Sequence, residues 1–389
     1  MRIKDITATV LSNPDVDAGA SDSSQDDVLV EITTDEGIVG IGEVDAAPTV
    51  IKALIDMRSS HDASLGLKRV LIGEDPLQIS KLWDRMYEGN IATGRRGIGV
   101  MAMGAIDIAL WDLAGKHYGV PVWKLLGGSN KRTVSPYASL PPLQDPENVE
   151  VKELRRMVEH ARRAGFAAVK IEELVNSQTR DAELVQEARR LVGSDCELMV
   201  DAYYCWPDLK TALSACEDLE RFGLYFIEAP LPVDDVAGLR RLSRALKTRI
   251  ATGERLTTRY EFIDLMDRGE VDVVQPDIGR VGGLTEAMRV ADHAKTRGVL
   301  VVPHCWRTGI SIAGALHFAA ATPNCPYFEF VPGGLSRSLL RRSLVKREFT
   351  LRRGGGIELP ERPGLGIEID YSVVDRCRVD LRDDRRRAR

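Results

Sequence analysis

Between Thr133 and Val331 short apolar runs recur eight times: TVSPYAS, AAVKIEE, ELMVDA, YFIEAP, RIATGE, VDVVQPD, LVVPHC and PYFEFV. The stretches between them, such as VEVKELRRMVEHARRAGF and DAELVQEARRLVG, space their apolar residues as one face of a helix does. Strand–helix alternation of this kind builds parallel βαβ units. Eight in succession predict an α/β chain with a (β/α)8-type TIM barrel. A doubly wound sheet is the alternative. It would favour a glycine-rich loop after the first strand, and TVSPYASLPPLQ has none.

The residues before the barrel follow another pattern. IKDITATVL and VLVEITT alternate as strands, and Asp35-Glu36-Gly37 turns the chain into IVGIGEV, a hairpin signal. The polar segment Asn13 to Asp27 reads as a loop. A mostly helical region runs from Thr49 to His117; its last part, VMAMGAIDIALWDLAGKHYG, is apolar around most of its circumference and is read as a buried helix ended by Gly119 and Pro121. Three parts are expected: an α+β capping domain over 1–130, the barrel over 131–345, and a Pro/Gly-rich segment over 346–389 that returns to complete the cap. Within that segment Phe349 to Leu351 and Gly356 to Leu359 read as a short hairpin.

Charge narrows the partners. A formal net charge of −5 argues against nucleic acid, whose phosphates need a basic face. The basic run Arg385–Arg387 with Arg389 is read as a solvated tail. The six cysteines form no CxxC and no zinc spacing, the N-terminus lacks a secretory apolar stretch, and no run reaches membrane-span length. A cytoplasmic enzyme without a membrane partner is expected.

The ends of the strands carry the chemistry. Lys170 and Glu172 end the second strand, followed by Asp201, Glu228, Glu254, Asp277, His304 and Glu329 on the third to eighth. From Asp201 onward the steps are 27, 26, 23, 27 and 25 residues, each about one βα unit. A barrel gathers these strand ends at one mouth. A single acid after a strand commonly caps a helix. Three successive ones, Asp201, Glu228 and Glu254, repel one another unless a cation lies between them, and hard oxygen donors suit one Mg²⁺ per site. Asp277 and His304, on adjacent strands, form an acid/base pair in which the carboxylate orients the imidazole. Lys170 can hold a substrate carboxylate, and Glu329 can hydrogen-bond or protonate a developing enolate. His61, His117, His160, His293 and His317 are read as structural.

These motifs resemble the enolase superfamily, specifically its mandelate racemase-like group, over nearly the whole chain. They are LMVDAY, FIEAP, ATGE, QPDIGRVGG, VPHCW and FEF, with ALWDLAGKHYGVPVWKLLGG and RPGLGIEI. The resemblance implies Mg²⁺ on Asp201, Glu228 and Glu254, His304 backed by Asp277 as acid/base, a loop at Asn13–Asp27 closing over the substrate, and a homo-oligomer. Two departures stand out. The family's second strand commonly ends Lys-x-Lys, with the second Lys as a base facing the His; here it is Lys170-Ile171-Glu172. Tyr203 stands where the family often has Asn. With one certain acid/base, His304, the reading is dehydration of a sugar acid to a 2-keto-3-deoxy acid through an enediolate. A racemase or epimerase using Glu172 is the alternative, and a non-catalytic acid-sugar-binding protein a third. Tyr203, Trp306 and Arg95 are candidate substrate contacts, with Arg96 and Arg307 beside them.

Overall fold

In the computed structural model of the chain the described residues are all except 18, 20–21, 60, 62–63, 143–150, 173–177 and 382–389. The basic run at 385–389 lies outside them.

The N-terminal strands Ile3–Ser12, Asp26–Thr34 and Val39–Gly42 form an antiparallel sheet in sequence order. The expected turn is present: Gly37 takes a positive φ of 81°, and its N–H bonds the Thr34 carbonyl. The apolar helix Ile98–Tyr118 lies on this sheet, closed by a left-handed Gly119. It is the only helix among the described residues long and apolar enough to span a membrane, and it is packed in the interior instead. The sheet has glycine where the helix crosses. A Cβ on Gly40 or Gly42 would come within 2.1 Å of the Ala109 or Ala105 carbonyl oxygen.

The barrel strands are Pro136–Ser139, Ala168–Ile171, Glu197–Asp201, Phe226–Glu228, Arg249–Thr252, Val273–Val274, Leu300–Val301 and Phe328–Phe330, in one parallel sheet. The eighth pairs with the first, and the ring closes where the Glu329 N–H donates to the Pro303 carbonyl at 3.2 Å. The parallel order and this closure exclude the doubly wound alternative. Tyr137, Ala168, Met199, Phe226, Ala251 and Val273, one from each of the first six strands, and Val302 just past the seventh fill the barrel's interior. Side chains on a strand alternate between faces. The next inward positions are therefore Ser139, Lys170, Asp201, Glu228, Gln275 and His304, so a polar layer sits directly above the apolar plug.

Two expectations needed correction. Thr133–Val134, read as part of the first barrel strand, pairs antiparallel with Ile357–Glu358. The barrel strand starts only at Pro136, and proline, lacking an N–H, is tolerated at a strand's first residue. The expected hairpin reduces to a single bridge, Leu351 with Ile357, because Ile357–Glu358 spends its ladder on Thr133–Val134. Farther on the chain returns to the cap: Leu365 N–H bonds Asp112, Tyr371 Oη bonds Glu31, and Val379 N–H bonds the Val10 carbonyl.

Buried carboxylates of the cap serve helices of the barrel. Asp107 receives the backbone N–H and the hydroxyl of Thr285 at the start of the Leu284–Arg297 helix. Glu43 receives Thr308 and Ser311 at the start of Gly309–Ala321. The free N–H groups of a helix's first turn attract negative charge. The closest approach is at Gly104, where a Cβ would lie 1.9 Å from the Gly279 oxygen.

Candidate active site at the barrel mouth

The side chains expected at the strand ends meet at one mouth. Lys170, 2% exposed, places Nζ 2.8 Å from Glu228 Oε2, 2.8 Å from Glu329 Oε1 and 3.4 Å from Asp201 Oδ2. Burial alone would lower this lysine's pKa, but Glu228 and Glu329 outweigh it and hold the ammonium charged. Glu254 faces another way. Its carboxylate lies 3.3 Å from His304 Nε2, 3.4 Å from Tyr204 Oη and 3.4 Å from Arg255 Nε. Asp201 and Glu228 thus share the lysine, while Glu254 faces the imidazole.

One ammonium cannot compensate this many acids. Burial, then the charge of Asp201, pushes Glu228 up to about 8 and Glu172 well above the usual carboxylate range. Burial raises Asp201 as well, against the pull of Lys170. Glu228 Oε1, Ser139 Oγ and both amide atoms of Gln275 are buried without a hydrogen-bond partner among the described residues. A surplus of carboxylate oxygens with an orphaned acceptor is the donor set a hard divalent cation requires, so the residues fit Mg²⁺.

His304 is 7% exposed, and its Nδ1 lies 2.8 Å from Asp277 Oδ2. Burial lowers its basicity, but Glu329, Glu254 and the bond to Asp277 overcome this and lift it to about 9. Asp277 Oδ1 accepts from the backbone N–H of Arg280 at 2.9 Å. Glu329, anchored by the Cys305 N–H at 2.7 Å, would be raised by burial, yet Lys170 and His304 pull it down to about 2. In this arrangement Glu329 accepts from the Cys305 N–H and pairs with Lys170.

The turn after Asp201 is held in an uncommon backbone conformation. Tyr203 and Tyr204 have φ of 44° and 62°, and the Tyr203 N–H donates back to Asp201 Oδ1 at 2.8 Å. Tyr203 and Trp306 both line the mouth, with Trp306 Nε1 at 3.4 Å from Asp22 of the Asn13–Asp27 loop. Arg95 is exposed beyond the short Ile91–Gly94 helix and lines neither cavity at the mouth; two residues on, the Gly97 N–H is tied to Thr257 Oγ1 at 3.0 Å. Arg96 bonds Tyr87 and pairs with Glu261. His317 is structural, accepting the Trp123 N–H, and burial lowers it to about 4.

Asp45 and Arg280 escaped the sequence reading. Asp45, buried at the end of the capping sheet, accepts from Arg280 Nη2 at 2.5 Å and Ser23 Oγ at 3.2 Å, and its Oδ1 forms an ion pair with Arg307, whose Nε lies 2.9 Å away. Burial would raise it; Arg280 and Arg307 pull it to about 2. Asp45, Asp277 and His304 place one ligand atom each within 4.8 Å of one another, a spacing a metal could use. Both carboxylates are already compensated, by two guanidiniums and by the imidazole, and Arg280 joins them, its backbone N–H on Asp277 and its side chain on Asp45. Arg280, three residues after Asp277 within QPDIGR, was visible in the sequence. Asp45 carried no local signal, because its charged partners Arg280 and Arg307 are more than 200 positions away.

Known proteins resemble this chain over most of its length. Residues 153–373 match the family described as enolase C-terminal domain-like, and residues 4–127 match the mandelate racemase / muconate lactonizing enzyme N-terminal domain. An arabinonate dehydratase of Saccharolobus solfataricus is 34% identical over 363 residues, covering 92% of each chain. A D-galactarolactone cycloisomerase of Agrobacterium fabrum is 32% identical, covering 90% of this chain and 91% of its own. The crystal structure of a racemase from Streptomyces coelicolor A3(2) with bound magnesium superposes with a TM-score of 0.84 at 28% identity, covering 97% of this chain and 100% of the other.

Proposed function

The chain belongs to the enolase superfamily, in its mandelate racemase / muconate lactonizing enzyme group, and on that premise we propose that it dehydrates a sugar acid to a 2-keto-3-deoxy acid. Asp201, Glu228 and Glu254 would hold Mg²⁺; the magnesium-bearing racemase and the surplus of carboxylates support this. When bound, the ion supplies positive charge at the substrate carboxylate and offsets Glu254, one of the carboxylates that keep His304 protonated.

The observation that carries the reading is the His304–Asp277 pair beside the acids. Asp277 fixes the ring through Nδ1, which leaves Nε2 toward the mouth to take the proton α to the carboxylate. The same nitrogen then returns that proton to the departing β-hydroxyl, so one acid/base serves both steps. Lys170 places a permanent positive charge beside the developing enediolate, and Glu329 holds Lys170 and the Cys305 backbone in position. Names of the relatives point the same way: one is an arabinonate dehydratase.

Epimerisation is the second reading, and Glu172 favours it. It lines the inner cavity from the end of the second strand, while His304 comes from the seventh, and burial with the nearby Asp201 raises its pKa, which favours the proton-bearing form. It could therefore return a proton to the other face of the enediolate.

Incubation with Mg²⁺ and a panel of sugar acids in D₂O distinguishes these readings. Dehydration gives a 2-keto product; epimerisation gives deuterium at the α-carbon without it. A protein that binds acids, yet neither exchanges the α-proton nor yields product, is the non-catalytic binder and not an enzyme.

A further inference from the structure

The inner cavity, of about 310 Å³, adjoins an outer chamber of about 610 Å³, and Asp22, Glu172, Tyr203 and Trp306 line both. One ligand can therefore span them. The inner cavity alone stands near the lower end of the range for ligand sites, roughly 300–1,000 Å³, and is enough for the acid end of a sugar acid. An outer chamber about twice that size is more than the rest of a short acyclic acid would fill.

Its walls say what the remainder should be. One side is apolar, with Pro141, Pro142, Met157, Val331 and Leu335 beside Trp306. The C–H faces of a sugar ring can pack on such a surface. Among the described lining residues, Glu172 with its raised pKa set aside, four are acidic, Asp15, Asp17, Asp22 and Glu153, against two basic ones, Arg156 and Arg337. Arg156 is paired with Glu153 at 3.8 Å, so its charge is already partly offset, and Arg337 is exposed to solvent. Ionised carboxylates accept hydrogen bonds and donate none. Such a chamber matches a ligand rich in hydroxyl donors and disfavours a second negative charge.

Building on the proposed dehydration, we infer that the substrate is a monocarboxylic sugar acid whose neutral, hydroxyl-rich remainder reaches the outer chamber and carries a second sugar unit. A glycosyl-substituted aldonate fits this description, and a dicarboxylic aldarate does not. The α-proton and the free β-hydroxyl that dehydration needs stay at the acid end, in the inner cavity.

Calorimetric titration of the full chain with Mg²⁺ tests this using four acids that share a gluconate-type head: gluconate, glucarate, maltobionate and lactobionate. Maltobionate or lactobionate should bind about tenfold or more tightly than gluconate, with glucarate weakest. Leu335→Trp, which narrows the outer chamber beside Trp306, should abolish most of that advantage. Glucarate binding best, neither glycosylated acid binding better than gluconate, or an advantage untouched by Leu335→Trp would overturn the inference. The wild-type ranking needs no variant to fold. Binding is read separately from turnover, so absence of α-proton exchange from every acid would strike the proposed dehydration and leave the ranking to decide the substrate class.

Discussion

Replacing Glu228 by Gln is expected to make the metal-free protein more stable at pH 8 while abolishing its stabilisation by Mg²⁺. Glu228 is fully buried, and burial together with Asp201 pushes its pKa from 4.5 to about 8. In the unfolded chain the same group ionises near its ordinary value. Between the two, the native state binds the extra proton, so stability falls as pH rises through this window. The whole shift, about 3.5 pKa units, corresponds to roughly 5 kcal/mol. Asp201 and Lys170 share in the same titration, which brings the expected loss to about 2–5 kcal/mol. Glutamine keeps the shape and an acceptor for Lys170 without the charge. Thermal unfolding of both proteins in chelator, from pH 5 to pH 8, should give curves that lie close together at the acid end. At pH 8 the variant should melt several degrees higher, at about 2–4 °C or somewhat less per kcal/mol for a chain this long. Adding millimolar Mg²⁺ should raise only the wild type. A variant less stable than wild type at pH 8 without metal would refute the reasoning, because it would mean that Lys170 depends on the Glu228 charge more than the acids repel one another.

Asp277→Asn should slow α-proton exchange by about 10²–10⁴-fold with little change in KM, since it removes the partner that orients His304; a loss below about tenfold would count against the dyad. Glu172→Gln should reduce 2-keto acid formation far less than Asp277→Asn does, and an equal loss in the two variants would shift the reading to epimerisation. Gly104→Ala forces a Cβ against the Gly279 carbonyl and should cost about 1–3 kcal/mol in denaturant unfolding while also lowering turnover, because Gly279 lies two residues beyond Asp277. Unchanged turnover with reduced stability would show that this contact does not set the dyad's position.

The barrel was legible because its pattern is local and repeated. Each strand declares itself by a short apolar run, and each strand end by a polar residue one βα unit after the last. Alternation along the strands then predicts which residues share the inward layer, so Lys170, Asp201, Glu228 and His304 could be brought together before any coordinates. What the pattern could not show is how charge is divided among them. That Lys170 lies between Glu228 and Glu329, and that Glu254 turns to His304, depends on side-chain rotamers across the ring. Asp45 was invisible because its importance comes from Arg280 and Arg307, far away in sequence. Two adjacent arginines in a glycine-flanked stretch resemble a binding loop, yet Arg95 is exposed and lines neither cavity at the mouth. Thr133–Val134 was assigned to the wrong ladder because the run continued unbroken through Pro136.

The seam between Gly104 and Gly279 leaves no room for even a methyl group, so the helix beneath the cap and the loop bearing Asp277 have to shift as one piece. New acids therefore cannot be accommodated by tilting the two halves apart without disturbing the proton-transfer pair. Retuning which acid is accepted falls instead to Asp15, Asp17, Leu335 and their neighbours around the outer chamber, where side chains can change size and charge without moving that seam.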